Sequence, residues 1–169
     1  RIYGYNKIPS KIPSSSLNSS SIHKTAYWTE KIKDLLVEKG FSEVYTYSLT
    51  NKGEVEIQNP LASDKNFLRT NLRDGLQKSI ALAIKNVDLL GIDAVKIFEI
   101  GNVFSASDEY LSLGIGILNS KGRKVKKETE QGMEIIQALT DFLNLDIEKM
   151  AKLVKNFFEL NLTELIEKL

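Results

Sequence analysis

The sequence predicts an α+β fold, an antiparallel sheet flanked by helices. Two observations carry that prediction. Segments with a helical apolar period alternate with segments rich in β-branched and aromatic residues, in the order helix, strands, helix, two strands, helices. Neighbouring strand segments are joined by short turns, Asn51-Lys52-Gly53 and Ser105 to Glu109, far too short for the crossover that parallel neighbours need. A length of 169 residues suits about one domain.

The chain opens with Pro9, Pro13 and a Ser/Asn run from Ser14 to Ser21, which reads as extended linker; Tyr3, Tyr5 and Ile8 are expected to anchor the first stretch. Ile22 to Lys39 reads as a helix with Trp28, Ile32, Leu35 and Leu36 as its apolar stripe, Ser21 as its cap and Gly40 as its stop. Ser42 to Thr50, containing Val44, Tyr45, Thr46 and Tyr47, reads as a strand. Glu54 to Gln58 reads as a short strand ended by Asn59-Pro60, and Phe67 to Leu72 fits a strand end. Arg73 to Leu90 reads as one helix, with Leu76, Ile80, Ile84 and Val87 inward, Asp74 at the positive end of its dipole and Gly91 as its stop. Ala94 to Phe104 and Tyr110 to Leu118 are strands, the second uncharged and central. Lys126 to Leu143 is expected to be a helix with Met133, Ile136, Leu139 and Leu143 on one face. A further helix is expected from Ile147 to Leu160, with a last helical turn from Thr163 to Leu169.

Composition narrows the function. Hydrophobic residues make up 42% and charged residues 27%, which excludes a disordered tail or a fibre. With 23 basic and 22 acidic residues the net charge is +1, so no overall field draws the chain to nucleic acid or an anionic membrane. Zero cysteines exclude disulfides, thiolate metal sites and a Cys nucleophile, and suit a reducing cytoplasm. No apolar run reaches the roughly 18 residues of a membrane span. Charge is nevertheless uneven. Five of the seven residues from Lys121 to Lys127 are basic, while Glu128 to Leu169 holds nine acidic and four basic residues. Lys121, Arg123, Lys124, Lys126 and Lys127 are therefore candidates for a phosphate contact, though no aromatic residue is interleaved to stack on bases.

Signals for catalysis are sparse. His23 is the sole histidine and lies at a helix start without a partner in view. Gly114-Ile115-Gly116 lacks the third glycine and the Lys-Ser/Thr of phosphate-binding loops, so close packing in a strand is the expected role. Glu99 stands in an apolar strand, where a carboxylate requires a partner; a structural ion pair is the expectation and a functional acid the alternative.

Three stretches, in order, resemble one family. Arg1-Ile2-Tyr3-Gly4-Tyr5-Asn6-Lys7-Ile8-Pro9 is the first and Gly40-Phe41-Ser42-Glu43-Val44-Tyr45-Thr46-Tyr47-Ser48-Leu49 the second. The third is Asn59-Pro60-Leu61-Ala62-Ser63-Asp64 with Leu68-Arg69-Thr70-Asn71-Leu72 and Gly75-Leu76, followed by Ile97-Phe98-Glu99-Ile100-Gly101-Asn102-Val103-Phe104. Together they look like the beta subunit of phenylalanine–tRNA ligase over residues 1 to about 118, and a chain starting at Arg1 is then expected to be a piece of a longer polypeptide.

The resemblance implies a class II aminoacyl-tRNA synthetase-like sheet. Residues 1–20 would be the exit from a preceding small domain plus linker and 21–145 the synthetase-like core; residues 146–169, which the resemblance does not reach, are expected to be a C-terminal helical extension. It implies a non-catalytic core that supports an alpha subunit in charging tRNA with phenylalanine, in a cytoplasmic α2β2 enzyme. Active class II cores carry Arg-x-Glu in motif 2; here the matching run is Arg69-Thr70-Asn71, and an amide cannot supply the carboxylate's charge. No catalytic, cofactor or metal residue is therefore expected in this chain, with ATP and magnesium belonging to the whole complex. The first helix would correspond to motif 1, giving Tyr27, Trp28 and Lys31 as candidate subunit-interface residues, to which Arg69, outside that helix, is added. Two other readings stay open: a free-standing core with a small-molecule or regulatory role, and a nucleic-acid module using the Lys121 to Lys127 cluster.

Overall fold

The computed structural model describes residues 2–12, 21–120 and 125–169. Helix α1 spans Lys24–Glu38. Its N-cap position is His23, with no side-chain cap, so Ser21 lies outside the helix and does not cap it. At the other end Gly40 adopts φ +82°. Gly40 N donates to Val37 O and Phe41 N donates to Leu36 O, the paired closure of a Schellman motif that requires the left-handed residue. Phe41 is thereby turned back into the core.

The strands β1 (Ser42–Glu43), β4 (Ala94–Phe104), β5 (Glu109–Asn119), β6 (Lys152–Val154) and β7 (Phe157–Asn161) form one sheet in the order β1-β4-β5-β7-β6. The long β4–β5 hairpin is its spine. All neighbours are antiparallel except β1 and β4, which are parallel because helix α2 (Arg73–Ala83) lies between them in sequence and carries the crossover. A two-stranded ribbon of β2 (Leu49–Thr50) and β3 (Phe67–Leu68) lies apart from it.

Side-chain alternation gives the sheet two dressed faces. Phe98 and Ile100 of β4, Leu113, Ile115 and Ile117 of β5, and Phe158 and Leu160 of β7 pack with α1, α4 (Glu128–Leu143) and α5 (Leu162–Lys168). The opposite face packs Val95, Ile97, Val103 and Phe157 against Leu72, Leu76 and Ile80 at and within α2. Helix α2 sits close because Gly114 and Gly116 present no side chain. A Cβ there would lie 2.8 Å from Leu76 Cδ1 and 2.7 Å from Ile80 Cδ1. The Gly114-Ile115-Gly116 segment is thus a packing device in a central strand.

Several sequence expectations need correction. The strand expected over Ser42 to Thr50 reduces to β1 and β2. Between them Val44 N still bonds Phe98 O, but Thr46 N turns to the Glu99 carboxylate, so a side chain replaces the ladder partner. Likewise Glu54 to Gln58 holds only a bridge from Glu56 to Phe67. The helix expected over Arg73 to Leu90 is broken into α2, a 3-10 turn at Ile84–Asn86, and α3 (Val87–Leu90). Its last apolar spacing, three residues from Ile84 to Val87, is the 3-10 period, and Gly91 at φ +66° ends it.

Helix α4 buries Gly132, Ile135, Ile136, Leu139 and Leu143, whereas Met133 is exposed. Most consequential is the tail. The stretch from Ile147 to Leu160 is not a helix, and residues 146–169 are not a helical extension; they supply β6, β7 and α5. Strands β6 and β7 meet at Val154 and Phe157 through the two-residue loop Lys155-Asn156, with Lys155 at φ +57°. The driving force is long-range. Five residue pairs join β7 to β5, satisfying a strand edge that would otherwise be bare.

Candidate functional site

The Leu68-Arg69-Thr70-Asn71-Leu72 run leaves β3 and enters α2 across the second face of the sheet. The Arg69 backbone is fixed on both sides, with its N donating to Ser48 O at 2.8 Å and its O accepting from Phe104 N at 2.9 Å. Its side chain lies within the protein. Arg69 Nη1 donates to Glu99 Oε1 at 2.6 Å, and the two side chains are only 7% and 2% exposed. Arg69 Nε donates to Asn102 O at 2.8 Å. Thr46 completes the cluster: its N donates to Glu99 Oε1 at 3.2 Å, and its Oγ1 donates to Glu99 Oε2 at 2.7 Å. The guanidinium lies over Gly101, where an added Cβ would come within 2.3 Å of Arg69 Nη2. The ion pair expected for Glu99 is present, and it ties the Thr46 loop, the β3 exit and β4 together.

Arg69 is therefore not exposed for a subunit contact, as its place among the interface candidates required. Nor does the Arg69-Thr70-Asn71 run fit a nucleotide phosphate site. Its cation is already neutralised by a buried carboxylate, and Asn71 Oδ1 accepts from Asp74 N at 3.0 Å, capping the start of α2. Among the described residues no group of three or more His, Asp or Glu side chains converges as a metal site would require.

The other interface candidates share α1. Tyr27 is exposed and meets the partly buried Trp28 edge-on, with ring centroids 5.3 Å apart. The Lys31 ammonium lies 5.9 Å from the Tyr27 ring centre. Trp28 packs against the core of its own sheet, leaving Tyr27 and Lys31 as the outward pair. In the basic cluster, Lys121, Arg123 and Lys124 lie outside the described residues. Lys126 is paired with Glu134, whose hydrogen bond and charge hold the ammonium above its ordinary range. Lys127 occupies the N-cap position of α4 without a side-chain cap. His23 is exposed at the start of α1.

Two clefts flank the Arg73 side chain. One, of about 860 Å³, is walled by Lys52, Glu54, Arg69, Arg73, Asp74 and Lys78. The other, of about 360 Å³, is walled by Tyr110, Ser112, Lys152, Phe157 and Glu159 among others. Glu159 Oε1 accepts from Leu72 N at 2.9 Å and from Ser112 Oγ at 3.2 Å, locking β7 to the start of α2. Burial first, then the negative charges of Glu159 and Glu54, push the Tyr110 phenol above its usual value. Reading 147–160 as a helix hid Glu159 from view. The alternation of Phe157, Glu159 and Asn161 against Phe158, Leu160 and Leu162 was the available signal.

Comparison with solved structures places the fold. Histidyl-tRNA synthetase from Nostoc sp. PCC 7120 superposes with a TM-score of 0.54 at 14% identity, covering 79% of this chain and 33% of that one. Apo histidyl-tRNA synthetase from S. aureus gives 0.52 at 12% identity, covering 85% and 36%. The fold is that of class II synthetases. In sequence, the chloroplastic phenylalanine–tRNA ligase beta subunit of Porphyra purpurea is 36% identical over 106 residues, 62% of this chain and 14% of that protein. The phenylalanine–tRNA ligase beta subunit of Staphylococcus aureus (strain Mu50) is 29% identical over 172 aligned positions, 86% of this chain and 21% of that protein. The chain thus spans about a fifth or less of the curated relatives it matches. Residues 8–158 match the family model described as the phenylalanyl tRNA synthetase beta chain CLM domain. That match runs through the Arg69–Glu99 cluster and into β7, and the chain belongs to the family of phenylalanyl-tRNA synthetase beta chains.

Proposed function

We propose that this chain is the non-catalytic core of a phenylalanine–tRNA ligase beta subunit, supporting the alpha subunit in ATP-dependent charging of tRNA. The observation that carries the reading is the fate of Arg69. In a class II core that activates an amino acid, positive charge must face the nucleotide phosphates, because phosphoryl and adenylyl chemistry depends on positioned cations. Here that cation is sealed against Glu99, and Asn71 is spent on a helix cap. A core without that machinery contributes surface and rigidity. The outward Tyr27 on α1 supplies an aromatic at the surface, a residue type enriched where partners meet.

The test is co-expression with the matching alpha subunit, followed by size exclusion with light scattering. Co-elution at a defined heteromeric mass is expected, weakened by Tyr27→Ala. Separate elution of two folded proteins overturns the subunit reading and favours a free-standing core.

A further inference from the structure

The surroundings of Glu99 are those of a bound anion. Three donors of different kinds converge on one carboxylate: the Arg69 guanidinium at 2.6 Å, the Thr46 backbone N–H at 3.2 Å and the Thr46 hydroxyl at 2.7 Å. All three come from a loop and a strand exit distant in sequence from Glu99, and both residues also have contacts that do not involve it. The Arg69 backbone is bonded to Ser48 and Phe104, and its Nε to Asn102 O. The Thr46 side chain is buttressed by Gly75, where an added Cβ would lie 2.3 Å from Thr46 Oγ1. Gly101 leaves the space for the guanidinium. Arg69 also forms part of the wall of the larger cleft. Converging N–H and O–H donors with a guanidinium fork are what a carboxylate or other oxyanion requires.

We propose that Glu99 is a built-in counter-anion: it fills, from within the chain, a preformed oxyanion pocket behind Arg69, whose other side lines the cleft, and so closes that pocket to anionic ligands. The ligand class the pocket takes is a small carboxylate. Truncating Glu99 to Ala removes one methylene carbon and the carboxyl group, the same set of heavy atoms as acetate. The inference rests on the sealed-cation reading above but is separable from it, since the pocket can take acetate whether or not the chain binds an alpha subunit.

The experiment follows the thermal midpoint of the 169-residue chain and of Glu99→Ala in chloride buffer with added sodium acetate at constant ionic strength. Glu99→Ala is expected to rise in midpoint with the logarithm of acetate concentration, as a ligand of the native state must. The unmodified chain and the double variant Arg69→Met/Glu99→Ala are expected not to respond. Isothermal calorimetry on Glu99→Ala reads the same binding directly. A folded Glu99→Ala that ignores acetate overturns the proposal, as does an acetate effect that persists without Arg69. If Glu99→Ala fails to fold in chloride, refolding it with acetate decides: recovery of near-ultraviolet circular dichroism only in the presence of Arg69 supports the pocket, and no recovery rejects it.

Discussion

Arg69→Met is expected to destabilise the chain by about 3–5 kcal/mol, because it strands the Glu99 charge in the interior. The double variant Arg69→Met/Glu99→Leu is expected to recover much of that loss without reaching the parent. Buried ion pairs are commonly replaceable by apolar residues. Here, however, Thr46 N–H and its hydroxyl would lose their acceptor. Orphaned donors cost roughly 1–3 kcal/mol, which sets the deficit that remains. Urea denaturation of the parent, the single variant and the double variant measures all three. A single variant as stable as the parent would mean the pair is not the tie the geometry indicates.

Phe158→Ala is the second large effect. Phe158 is buried where β7 crosses α4, and its ring occupies the space above Gly132: a Cβ on that glycine would fall 1.8 Å from Phe158 Cζ. Removing the ring takes away its burial and leaves a cavity, a loss of about 3–5 kcal/mol. Met133→Ala, one residue from Gly132 on the exposed side of α4, is expected to stay within about 0.5 kcal/mol. The contrast separates the observed inward face of α4, built on Gly132, Ile135, Ile136, Leu139 and Leu143, from the expected one with Met133 turned in, for which Met133→Ala would cost well over that amount. Urea midpoints for the two variants settle it.

The contrast between these sites also shows what local sequence could carry. The β4–β5 hairpin was legible because each strand is long and apolar and Ser105 to Glu109 can only be a turn. The end of α1 was legible because Gly40 has a single backbone task there. The tail was not. Ile147, Met150, Ala151, Val154, Phe157 and Phe158 satisfy helical spacing, and only pairing with β5, far away in sequence, selects the strand period. Tertiary hydrogen bonding overrode the local pattern, as it did at Thr46, whose β-branched neighbourhood reads as strand but whose backbone serves Glu99.

The candidate site divides the same way. That Glu99 required a partner followed from one carboxylate among apolar residues; that the partner is Arg69 did not, since nothing in the spacing of residues 69 and 99 encodes their contact. Sequence alone therefore leaves Arg69 among the surface candidates, whereas its side chain belongs to the interior. Glu159, bonded to Leu72 N and Ser112, was lost with the tail.

The most direct test of the central claim, that the motif 2-like arginine is structural and not catalytic, is phenylalanine-dependent ATP–pyrophosphate exchange by the enzyme assembled with its alpha subunit. The beta chain would carry Arg69→Met/Glu99→Leu, and intact assembly would be verified by light scattering. Exchange within about twofold of the parent is the expected result, since such a change is under about 0.5 kcal/mol of barrier. A fall of about a hundredfold or more, the scale of removing a transition-state charge contact, would contradict it and return Arg69 to the chemistry.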